Sequence, residues 1–428
     1  MPRTPAARPL AVATALACAA AAHAEPEAAA RAWSGELRAH VDARSANPAG
    51  PLAAAARLSP GLVALPRGGA TVALGLRAQQ RGVSADVLLQ QQRLEGGGSD
   101  STARFNELVL SGAWPGSDAW QYSAGRKIVG WDVGYGWRPN DVVQQEQRRT
   151  LQSSTPQGRP LLQLEHFSAD TAWTLVWVNP QRLNASAERR SGSNESALAG
   201  RVYRRDGAVD WHGFARWGEH THASVGLAAA WVATESLEWH ASWRWATAHD
   251  GWRYGGPGAA APATANPWHV ATLSAAQLLL VGFTWTNADQ WSVLAEAWHD
   301  GSAPGNADWR AWQARTESLA AAGTAAPEPW HTAYAANLAW QATPWDAQNL
   351  RRDNLFLRLS WQHGAWQPAV DLLLTPTDGG RVLTAALAWQ GDRLRLEAGV
   401  RAYGGPADAL LAQLPLRRTA YLLASHAF

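Results

Sequence analysis

The segment Leu237–Trp245 reads Leu-Glu-Trp-His-Ala-Ser-Trp-Arg-Trp, and apolar and polar residues alternate along its whole length. The same alternation recurs in Trp33–Ala43, in Leu355–Gln362 and in Arg393–Tyr403. Successive side chains of a β-strand point to opposite faces, so a period of two predicts strands with one apolar and one polar face. These stretches decide the fold class, which we predict to be all-β.

The composition separates this chain from helical membrane proteins. It has 428 residues, a formal net charge of +2, 46% hydrophobic residues and 26 Trp, yet its mean hydropathy is −0.27. A helical membrane protein would show positive hydropathy and apolar runs of about 20 residues. Here the apolar residues are interleaved with polar ones, as amphipathic strands require. The nearly balanced charge gives no reason to expect a nucleic-acid partner.

The N-terminal segment has the features of a secretory signal peptide. Arg3 and Arg8 come before or at the start of an apolar run over Leu10–Ala22, and Ala22-His23-Ala24 matches a small-residue cleavage site. We predict a signal peptide over residues 1–24 and one mature domain over residues 25–428. The single Cys, Cys18, lies inside the signal peptide, so the mature chain has no cysteine. A lipid-modified Cys18 is the alternative interpretation.

Connectors between the predicted strands alternate between short and long. The short ones are Gln80–Gly82, Pro115–Ala119, Ser168–Asp170, Arg205–Ala208, Thr234–Ser236, Thr286–Gln290, Gln362–Ala365 and Gln390–Asp392. The long ones include Arg44–Ala70, Arg138–Pro160, Ala246–Trp268 and Asp300–Asn354. A closed barrel that crosses a membrane has this asymmetry, with short turns on one side and long loops on the other.

The strand count follows from the connectors. We count the predicted strands from Phe428 towards the N-terminus, with each strand crossing the membrane in the opposite direction to the last. Every short turn and both chain ends then lie on one side of the membrane, and the count is about 18 strands. Trp120–Trp137 is taken as one long strand and Tyr334–Trp340 as part of a loop. If either assignment differs, the count becomes about 16 or 20, which is still even. We therefore predict a transmembrane antiparallel β-barrel.

One long connector contains a predicted helix. Asp308–Ala322 has helical character, with Asn306 or Asp308 as its cap and Gly323 at its end. We expect it to be a loop element, either outside the barrel or folded into it.

Tryptophan residues cluster beside the short turns. Trp114 and Trp120 bracket one such turn, and Trp285 and Trp291 bracket another. Indole rings prefer the headgroup level of a bilayer, where an apolar ring meets a polar edge. The distribution predicts an aromatic girdle on the short-turn side of a membrane. A sandwich core is the alternative location for these rings.

These features together resemble the porin-like barrels of Gram-negative outer membranes. They are the signal segment ending at Ala24, the alternating connectors, the Trp girdle and the terminal Phe428. The resemblance covers the mature chain and implies short periplasmic turns, long extracellular loops and passive diffusion of small hydrophilic solutes without a cofactor. It implies two partners, outer-membrane lipid and the barrel assembly machinery, which recognises a C-terminal aromatic residue such as Phe428. His426 departs from the apolar residue usual at its position.

Charged residues on the polar faces are the predicted lining of a water-filled lumen, because burying unpaired charge is costly. The predicted lumen and selectivity residues are Arg38, Arg216, Arg244, Arg358, Asp371, Arg393, Arg395, Glu397 and Arg401. One hypothesis is that the arginines attract anionic solutes and set the ion preference. The alternative is that they form ion pairs along the wall with Asp371 and Glu397.

The segment Gly125–Arg149 has a charge density well above the chain average. Its candidate constriction residues are Arg126, Lys127, Asp132, Arg138, Asp141, Glu146, Arg148 and Arg149. A loop of this kind forms a constriction if it folds into the lumen. A solvated extracellular loop is the alternative.

Three other functions stay open at this point. One is an adhesion or scaffold barrel with a closed lumen. Another is an export barrel for a polymer or a specific substrate, gated by the long loops. The third is an outer-membrane hydrolase with a rim active site, although no G-x-S-x-G or H-E-x-x-H motif occurs. His220 and His222 would share a strand face suited to a metal, but they fall in a predicted polar loop. We assign no catalytic and no metal-ligating residue.

Overall fold

The computed structural model describes residues 33–63, 65, 67–95, 98–144, 156–180, 195–255 and 262–428. The predicted signal peptide and three candidate constriction residues, Glu146, Arg148 and Arg149, lie outside the described residues. Within these ranges the chain forms twenty strands and three α-helices.

The strands follow one another along the chain with short or long connectors between them. They are β1 (Trp33–Ala46), β2 (Gly68–Gln80), β3 (Val83–Leu94), β4 (Ser99–Trp114), β5 (Ser117–Lys127), β6 (Arg159–Phe167), β7 (Thr171–Val178), β8 (Ala197–Asp206), β9 (Val209–Gly218), β10 (His222–Thr234), β11 (Leu237–Ala246), β12 (His249–Tyr254), β13 (Trp268–Leu273), β14 (Ala276–Thr286), β15 (Trp291–Asp300), β16 (Asp353–Trp361), β17 (Trp366–Thr375), β18 (Gly380–Gln390), β19 (Leu394–Gly404) and β20 (Leu416–Ala427). The hairpin of β12 and β13 is a separate sheet, and the other eighteen strands form one sheet.

The eighteen-stranded sheet closes on itself. Each strand pairs antiparallel with its neighbour in the chain, β11 pairs with β14 across the hairpin, and β1 pairs with β20. The register of the closing pair sets Glu36 opposite Ala427 and Val41 opposite Leu422. The predicted antiparallel barrel with 18 strands is confirmed.

The predicted long strand Trp120–Trp137 is wrong. Strand β5 ends at Lys127, whose last pairing is with Arg159 on β6. The next residue, Ile128, donates its backbone N–H to the carboxylate of Glu107 rather than to a strand. The residues after Lys127 still alternate between apolar and polar because their apolar side chains pack against the inside of the barrel. A period of two shows that one face is buried, but it does not show which part of the protein covers that face.

The predicted short connectors are the tight turns of the barrel. Arg81 and Gly82 join β2 to β3 with φ angles of 50° and 82°, the left-handed pair that a two-residue hairpin turn requires. Gly116, Gly207 and Gly364 supply positive φ in three further turns. The long connectors all leave from the opposite end of the barrel, as predicted.

The two faces of the wall differ as the alternation predicts. Outward Leu227, Val400 and Leu422 are 61%, 56% and 59% exposed, whereas their inward neighbours Ala228 and Tyr421 are buried. So many exposed large apolar side chains need hydrocarbon rather than water around them. Exposed indoles cluster at the short-turn end of the outer face, and they include Trp33, Trp114, Trp120, Trp173, Trp211, Trp231, Trp239, Trp285, Trp291 and Trp366.

Three helices from two long loops pack together at the other end of the barrel. They are α1 (Pro51–Leu58), α2 (Asn306–Ala325) and α3 (His331–Trp340), and we call them the helical cap. Ala54 and Ala55 of α1 are buried with Leu319 of α2 and Leu338 of α3. Short 3₁₀ turns at Glu328–Trp330, Thr343–Asp346 and Leu410–Ala412 complete this end. Among the described residues, no helix has both the length and the apolar character needed to cross a membrane.

The helical cap differs in two ways from the sequence prediction. The helix predicted over Asp308–Ala322 runs from Asn306 to Ala325, and Tyr334–Trp340 lies in the long connector as predicted but forms part of a second helix there. Gly323 does not end α2. A Cβ there would lie 2.6 Å from Leu58 and 2.9 Å from Tyr334, so this glycine allows three helices to approach closely.

The closing strand generates a prediction about its last residue. Gly35 and Phe428 exchange two backbone hydrogen bonds of 2.9 Å, and the Phe428 ring lies 6.1 Å from that of Trp33. We expect Phe428→Ala to lower the free energy of unfolding by about 1 kcal/mol, since a half-buried ring loses its contacts. Urea unfolding in detergent micelles, followed by Trp fluorescence, measures this change. Phe428→Tyr keeps the ring and is the control; equal stability of the Ala variant would contradict the prediction.

Candidate functional site

A segment of the β5–β6 connector, residues 128–144, folds into the barrel, and we call it the inward loop. Its two ends pack on one side of the inner wall. Val129 and Trp131 at one end and Val143 at the other are buried with Val176 of β7 and Phe214 of β9. The apolar side chains of the loop thus face the wall.

The tip of the inward loop lies farther round the inner wall, on β14, β15 and β16. Trp137 is buried with Leu280 of β14 and Trp298 of β15, and the two indole rings are 6.2 Å apart. Tyr135 stacks on Phe356 of β16 at 6.1 Å between ring centroids. The loop therefore runs along the inner wall from β6 to β16.

Glu296 on β15 fastens the tip to the wall. Tyr135 and Gly136 donate their backbone N–H groups to its two carboxylate oxygens, both at 2.6 Å. His240 Nε2 on β11 lies 2.9 Å from Glu296 Oε1. The Glu296 side chain is fully buried, and a buried carboxylate is stable only when such partners satisfy it. Release of the tip would leave the Glu296 carboxylate short of two donors.

A second polar cluster fastens the middle of the inward loop to β11. Asn140 Nδ2 donates to Ser242 Oγ at 2.8 Å and to the Trp243 carbonyl at 3.0 Å. Ser242 Oγ donates in turn to Asp132 Oδ2 at 2.9 Å. The same Asp132 oxygen accepts the backbone N–H of Asn140 at 2.5 Å. The cluster is buried, so each bond replaces one to water that the loop has lost.

Two glycines of the wall make room for these contacts. A Cβ on Gly226 would lie 1.9 Å from Asn140 Oδ1, and a Cβ on Gly282 would lie 2.5 Å from His240 Nε2. Neither position has the positive φ that favours glycine for its backbone. Their lack of a side chain is therefore explained by the close approach of the loop and its anchors.

Asp141 is a buried acid of the inward loop. Its Oδ1 accepts the backbone N–H groups of Trp131 and Asp132 at 2.8 and 3.1 Å, and Arg138 Nη1 lies 3.7 Å from its Oδ2. Burial raises the pKa of Asp141 to about 6, against the lowering effects of Arg138 and the two N–H groups. Burial likewise raises the pKa of Asp132. Both acids therefore favour the protonated form more than exposed carboxylates do.

The candidate constriction residues occupy different environments. Arg126 and Lys127 end strand β5, where Arg126 donates to the Gly158 carbonyl at 2.7 Å and Lys127 to Ser123 Oγ at 3.1 Å. Arg138 lies on the inward loop and donates to the Gly134 carbonyl. On the same loop Asp141 is buried and Asp132 is half-buried. The interpretation of this segment as a solvated extracellular loop is wrong for residues 128–144, because their apolar side chains find a wall inside the barrel.

Several predicted lumen residues form ion pairs along the inner wall. Arg358 on β16 lies 3.1 Å from Asp371 on β17. Arg395 and Glu397 on β19 are 2.8 Å apart, and Tyr421 donates to the other oxygen of Glu397. Arg38 pairs in the same way with Glu36 two residues before it. Arg401 donates to Thr384 Oγ1 at 2.9 Å. These arginines and carboxylates remain partly exposed inside the barrel.

Three predicted lumen residues are placed differently from the others. Arg393 lies in the turn before β19 and is exposed there, because that strand begins at Leu394. Arg216 points inward but is buried, and it pairs with Glu195 of the preceding loop at 2.8 Å. Arg244 is buried under the inward loop, where it donates to the Pro139 carbonyl and to Ser224 Oγ. Alternation gives the face of a residue, and it does not show that a loop covers that face.

The anchors of the inward loop are the site residues that sequence reasoning did not find. Glu296 was recognisable as an inward carboxylate from its place in an alternating strand. Its partners are backbone N–H groups of a loop about 160 residues away in the chain. A local sequence pattern does not predict a contact between such distant segments.

The comparisons with known proteins bear on the fold. No protein-family model and no curated protein matches the chain. Among solved structures, OccAB1 from Acinetobacter baumannii matches with a TM-score of 0.50 at 9% identity, over 92% of this chain and 96% of that one. Two mutants of the Rh. blastica porin match with a TM-score of 0.43 at 11% and 10% identity, each over 92% of this chain and 99% of theirs. The chain has an outer-membrane porin-like β-barrel fold, as the sequence predicts.

The anchoring by Glu296 can be tested directly. In Glu296→Gln, the amide NH₂ group faces the backbone N–H of Tyr135 or Gly136, and because both groups are donors one hydrogen bond is lost. We expect this loss to destabilise the attached position of the loop by on the order of 2–3 kcal/mol. We expect amide hydrogen exchange at these two residues to accelerate at least about tenfold. Glu238→Gln removes an inward carboxylate from the short-turn end of β11 and is the control. Equal protection in both variants would contradict the anchoring.

The raised pKa of Asp141 gives a dependence on pH with a definite sign. The folded state holds this proton more tightly than the unfolded chain, so the stabilisation is complete below the unfolded value near 3.8 and is lost as pH rises through about 6. Asp141→Asn carries no such charge. We expect the stability of the unmodified chain relative to this variant to fall between pH 5 and 7.5, by at most about 1.4 kcal/mol per pH unit. Urea midpoints of both chains at the two pH values measure it; a difference independent of pH would refute it.

Proposed function

We propose that this barrel is a Gram-negative outer-membrane channel through which small hydrophilic solutes diffuse passively. The observation that carries the proposal is the exposure of charged side chains on the inner wall. Arg358 and Arg395 are 33% and 37% exposed although a closed wall surrounds them. Solvent inside the barrel accounts for this exposure, because charged groups in a dry interior would be buried against partners.

The arrangement of the ion pairs favours anionic solutes. In three pairs on the inner wall the arginine side chain is more exposed than the acidic side chain: 66% for Arg77 against 9% for Asp86, 33% for Arg358 against 26% for Asp371, and 37% for Arg395 against 22% for Glu397. A passing solute meets the positive end of each pair first. The potential near the wall is therefore positive even though the charges balance in number.

The inward loop supports a restriction on solute size. It runs along the inner wall from β6 to β16 and occupies space inside the barrel, with its apolar side chains against the wall. Arg358 lies 6.0 Å from the Tyr135 ring, so wall and loop approach each other there. We assign the narrowest part of the channel to this approach.

The outer face supports the proposed location and partners. Its exposed apolar side chains and its belt of indoles fit outer-membrane lipid. The terminal Phe428 fits recognition by the barrel assembly machinery, which reads an aromatic C-terminal residue in barrels of this class. Both are proposals from the chemistry of these surfaces.

A second candidate function is gated transport of a polymer or a specific substrate. The helical cap favours it, because Trp309 and Trp312 of α2 are buried with Leu410 and Leu411 of another long loop and pack against inward Val382. A packed cluster at the mouth restricts entry more than loose loops would. In this case conduction would require movement or removal of the cap.

The channel and its ion preference can be tested with the refolded mature chain in a planar bilayer. With unequal salt on the two sides, we expect discrete conductance steps and a reversal potential of the sign for anion preference. The triple variant Arg358→Gln, Arg395→Gln, Arg401→Gln is expected to shift that potential toward cations, because three positive groups leave the lumen. Arg204→Gln changes an exposed arginine on the outer face of β8 and serves as the control.

Three outcomes separate the candidates. Identical reversal potentials in the triple variant and the unmodified chain would contradict the role of the wall arginines. Conductance that appears only after residues 306–340 are replaced by a short linker would favour the gated candidate. Folded protein that conducts in neither form would contradict both.

A further inference from the structure

Two arginines face outward near the long-loop end of the barrel wall. Arg381 belongs to β18 and Arg418 to β20, and β19 pairs with both strands. Each arginine lies about ten residues along its strand from the short-turn end. At about 3.3 Å per residue and a strand tilt of about 40°, this length is about 25 Å of height, which is the height of the apolar band of a transmembrane barrel. The two arginines therefore lie at the level of lipid head groups on the long-loop side.

A gap of small residues separates the two arginines. The register sets Arg381 opposite Gly404 and Arg418 opposite Ala402 on β19. Both partners lie on the same face of β19 as Val400, which is exposed on the outer wall. A Cβ on Gly404 would lie 3.9 Å from Nε of Arg381, so the Arg381 side chain leans over β19 in the direction of β20. The two arginines therefore flank one gap, which we call the outer gap.

The arginines of the outer gap have no acidic partner among the described residues. Both side chains are exposed, and no described carboxylate lies within ion-pair distance of either. Asp378, in the turn before β18, pairs with Arg351 at 2.9 Å instead. The Cα atoms of the two arginines are about 12 Å apart, since two strand spacings and two residues along the strand separate them. Two guanidinium groups on either side of one gap favour a phosphate, because their N–H groups match its oxygens in pairs.

The wall below the outer gap is apolar. Leu383 of β18, Val400 of β19 and Leu422 of β20 face outward there and are 45%, 56% and 59% exposed. Ala385 and Ala420 lie opposite Val400 on the two neighbouring strands, so larger side chains do not fill the surface around it. A lipid needs an apolar surface directly below its head group, whereas a soluble anion needs only the arginines. The vertical order of charge and apolar surface therefore favours a lipid.

We infer that the outer gap binds the phosphate group of a membrane lipid from the leaflet on the long-loop side. Arg381 and Arg418 donate hydrogen bonds to the phosphate oxygens, and the acyl chains lie against Leu383, Val400 and Leu422. The inference rests on the proposed outer-membrane location of the barrel and does not depend on conduction through the lumen. It assigns the lipid partner to one place on the wall rather than to the whole apolar band.

Native mass spectrometry of the refolded chain in detergent micelles tests the site, because it counts bound lipids and gives their affinity. The probes are phosphatidic acid, which has a phosphate head group, diacylglycerol, which lacks the phosphate, and glycerol 3-phosphate, which lacks the acyl chains. We expect phosphatidic acid to bind at least about tenfold more tightly than either of the others. Arg381→Gln and Arg418→Gln are each expected to weaken phosphatidic acid about fivefold, since each removes one arginine from the phosphate.

A third outward arginine provides the matched control. Arg93 of β3 is exposed and lies at about the same height, again about ten residues from the short-turn end of its strand. Its Cα atom is about 20 Å from that of Arg418 by strand spacing and register. This distance is more than twice the Debye length of about 8 Å at physiological salt. We therefore expect Arg93→Gln to change the affinity for phosphatidic acid less than about twofold.

Gly404→Leu tests the shape of the outer gap, because it fills the gap and leaves every charge in place. We expect it to weaken phosphatidic acid at least about threefold, since the new side chain blocks the approach of a phosphate to both guanidinium groups. General attraction of an anionic lipid to a basic rim would not change in this variant. Circular dichroism checks that each variant is folded.

Several results would overturn the site in folded, micelle-inserted protein. They are equal binding of phosphatidic acid and diacylglycerol, equal weakening by Arg93→Gln and Arg381→Gln, and unchanged binding in Gly404→Leu. Binding of glycerol 3-phosphate as tight as that of phosphatidic acid would also overturn it, because the occupant would then be a soluble phosphate rather than a lipid. A chain that does not insert into micelles would instead contradict the proposed membrane location, so the two failures are distinguishable.

Discussion

The pairing of β1 with β20 is the contact on which the rest of this structure depends. A strand in hydrocarbon cannot leave its N–H and C=O groups unpaired, so a transmembrane sheet is stable only when it has no edge. The register that sets Glu36 opposite Ala427 removes the last two edges. Closure then divides every strand into a lipid face and an enclosed face. It also creates an interior where charged side chains can stay hydrated while the outer wall stays apolar.

An enclosed wet interior explains why the inward loop needs so many specific anchors. Inside the barrel the loop gives up hydrogen bonds to water and forms hydrogen bonds to the wall, an exchange that changes the free energy little. Its position against the wall is therefore stable only where apolar contacts are added and every buried polar group keeps a hydrogen-bond partner. Trp131 and Trp137 supply apolar contact at two separated places. Between these two places, the carboxylate of Glu296 accepts hydrogen bonds from two backbone N–H groups of the loop. Gly226 and Gly282 show that the wall is shaped for this loop, because side chains there would occupy the space of the anchors.

The sequence predicted the barrel well and the site only in part, for a physical reason. Alternation is a local property, and it identifies strands, their turns and the face of each residue. It therefore predicted eighteen strands and the inward direction of Arg244 and Arg358. It could not show that the inward loop covers Arg244 and leaves Arg358 exposed, since that depends on contacts between segments distant in the chain. The error over Trp120–Trp137 has the same origin: Trp131 and Val133 alternate because they pack on a wall, although they belong to no strand.

The balance of charge inside the barrel leads to a last conclusion about selectivity. Formal charges nearly cancel, both in the whole chain, at +2, and in the wall pairs. The preference for anions that we propose therefore does not depend on an excess of arginine. We propose that it comes from side-chain length, because a guanidinium on its longer stem reaches past the carboxylate that neutralises it, as in Arg77 and Asp86. A short-range field of this kind acts on a solute only where the passage is narrow enough to bring it near the wall. We propose that the inward loop narrows the lumen beside Arg358 and so brings solutes close to the paired charges there.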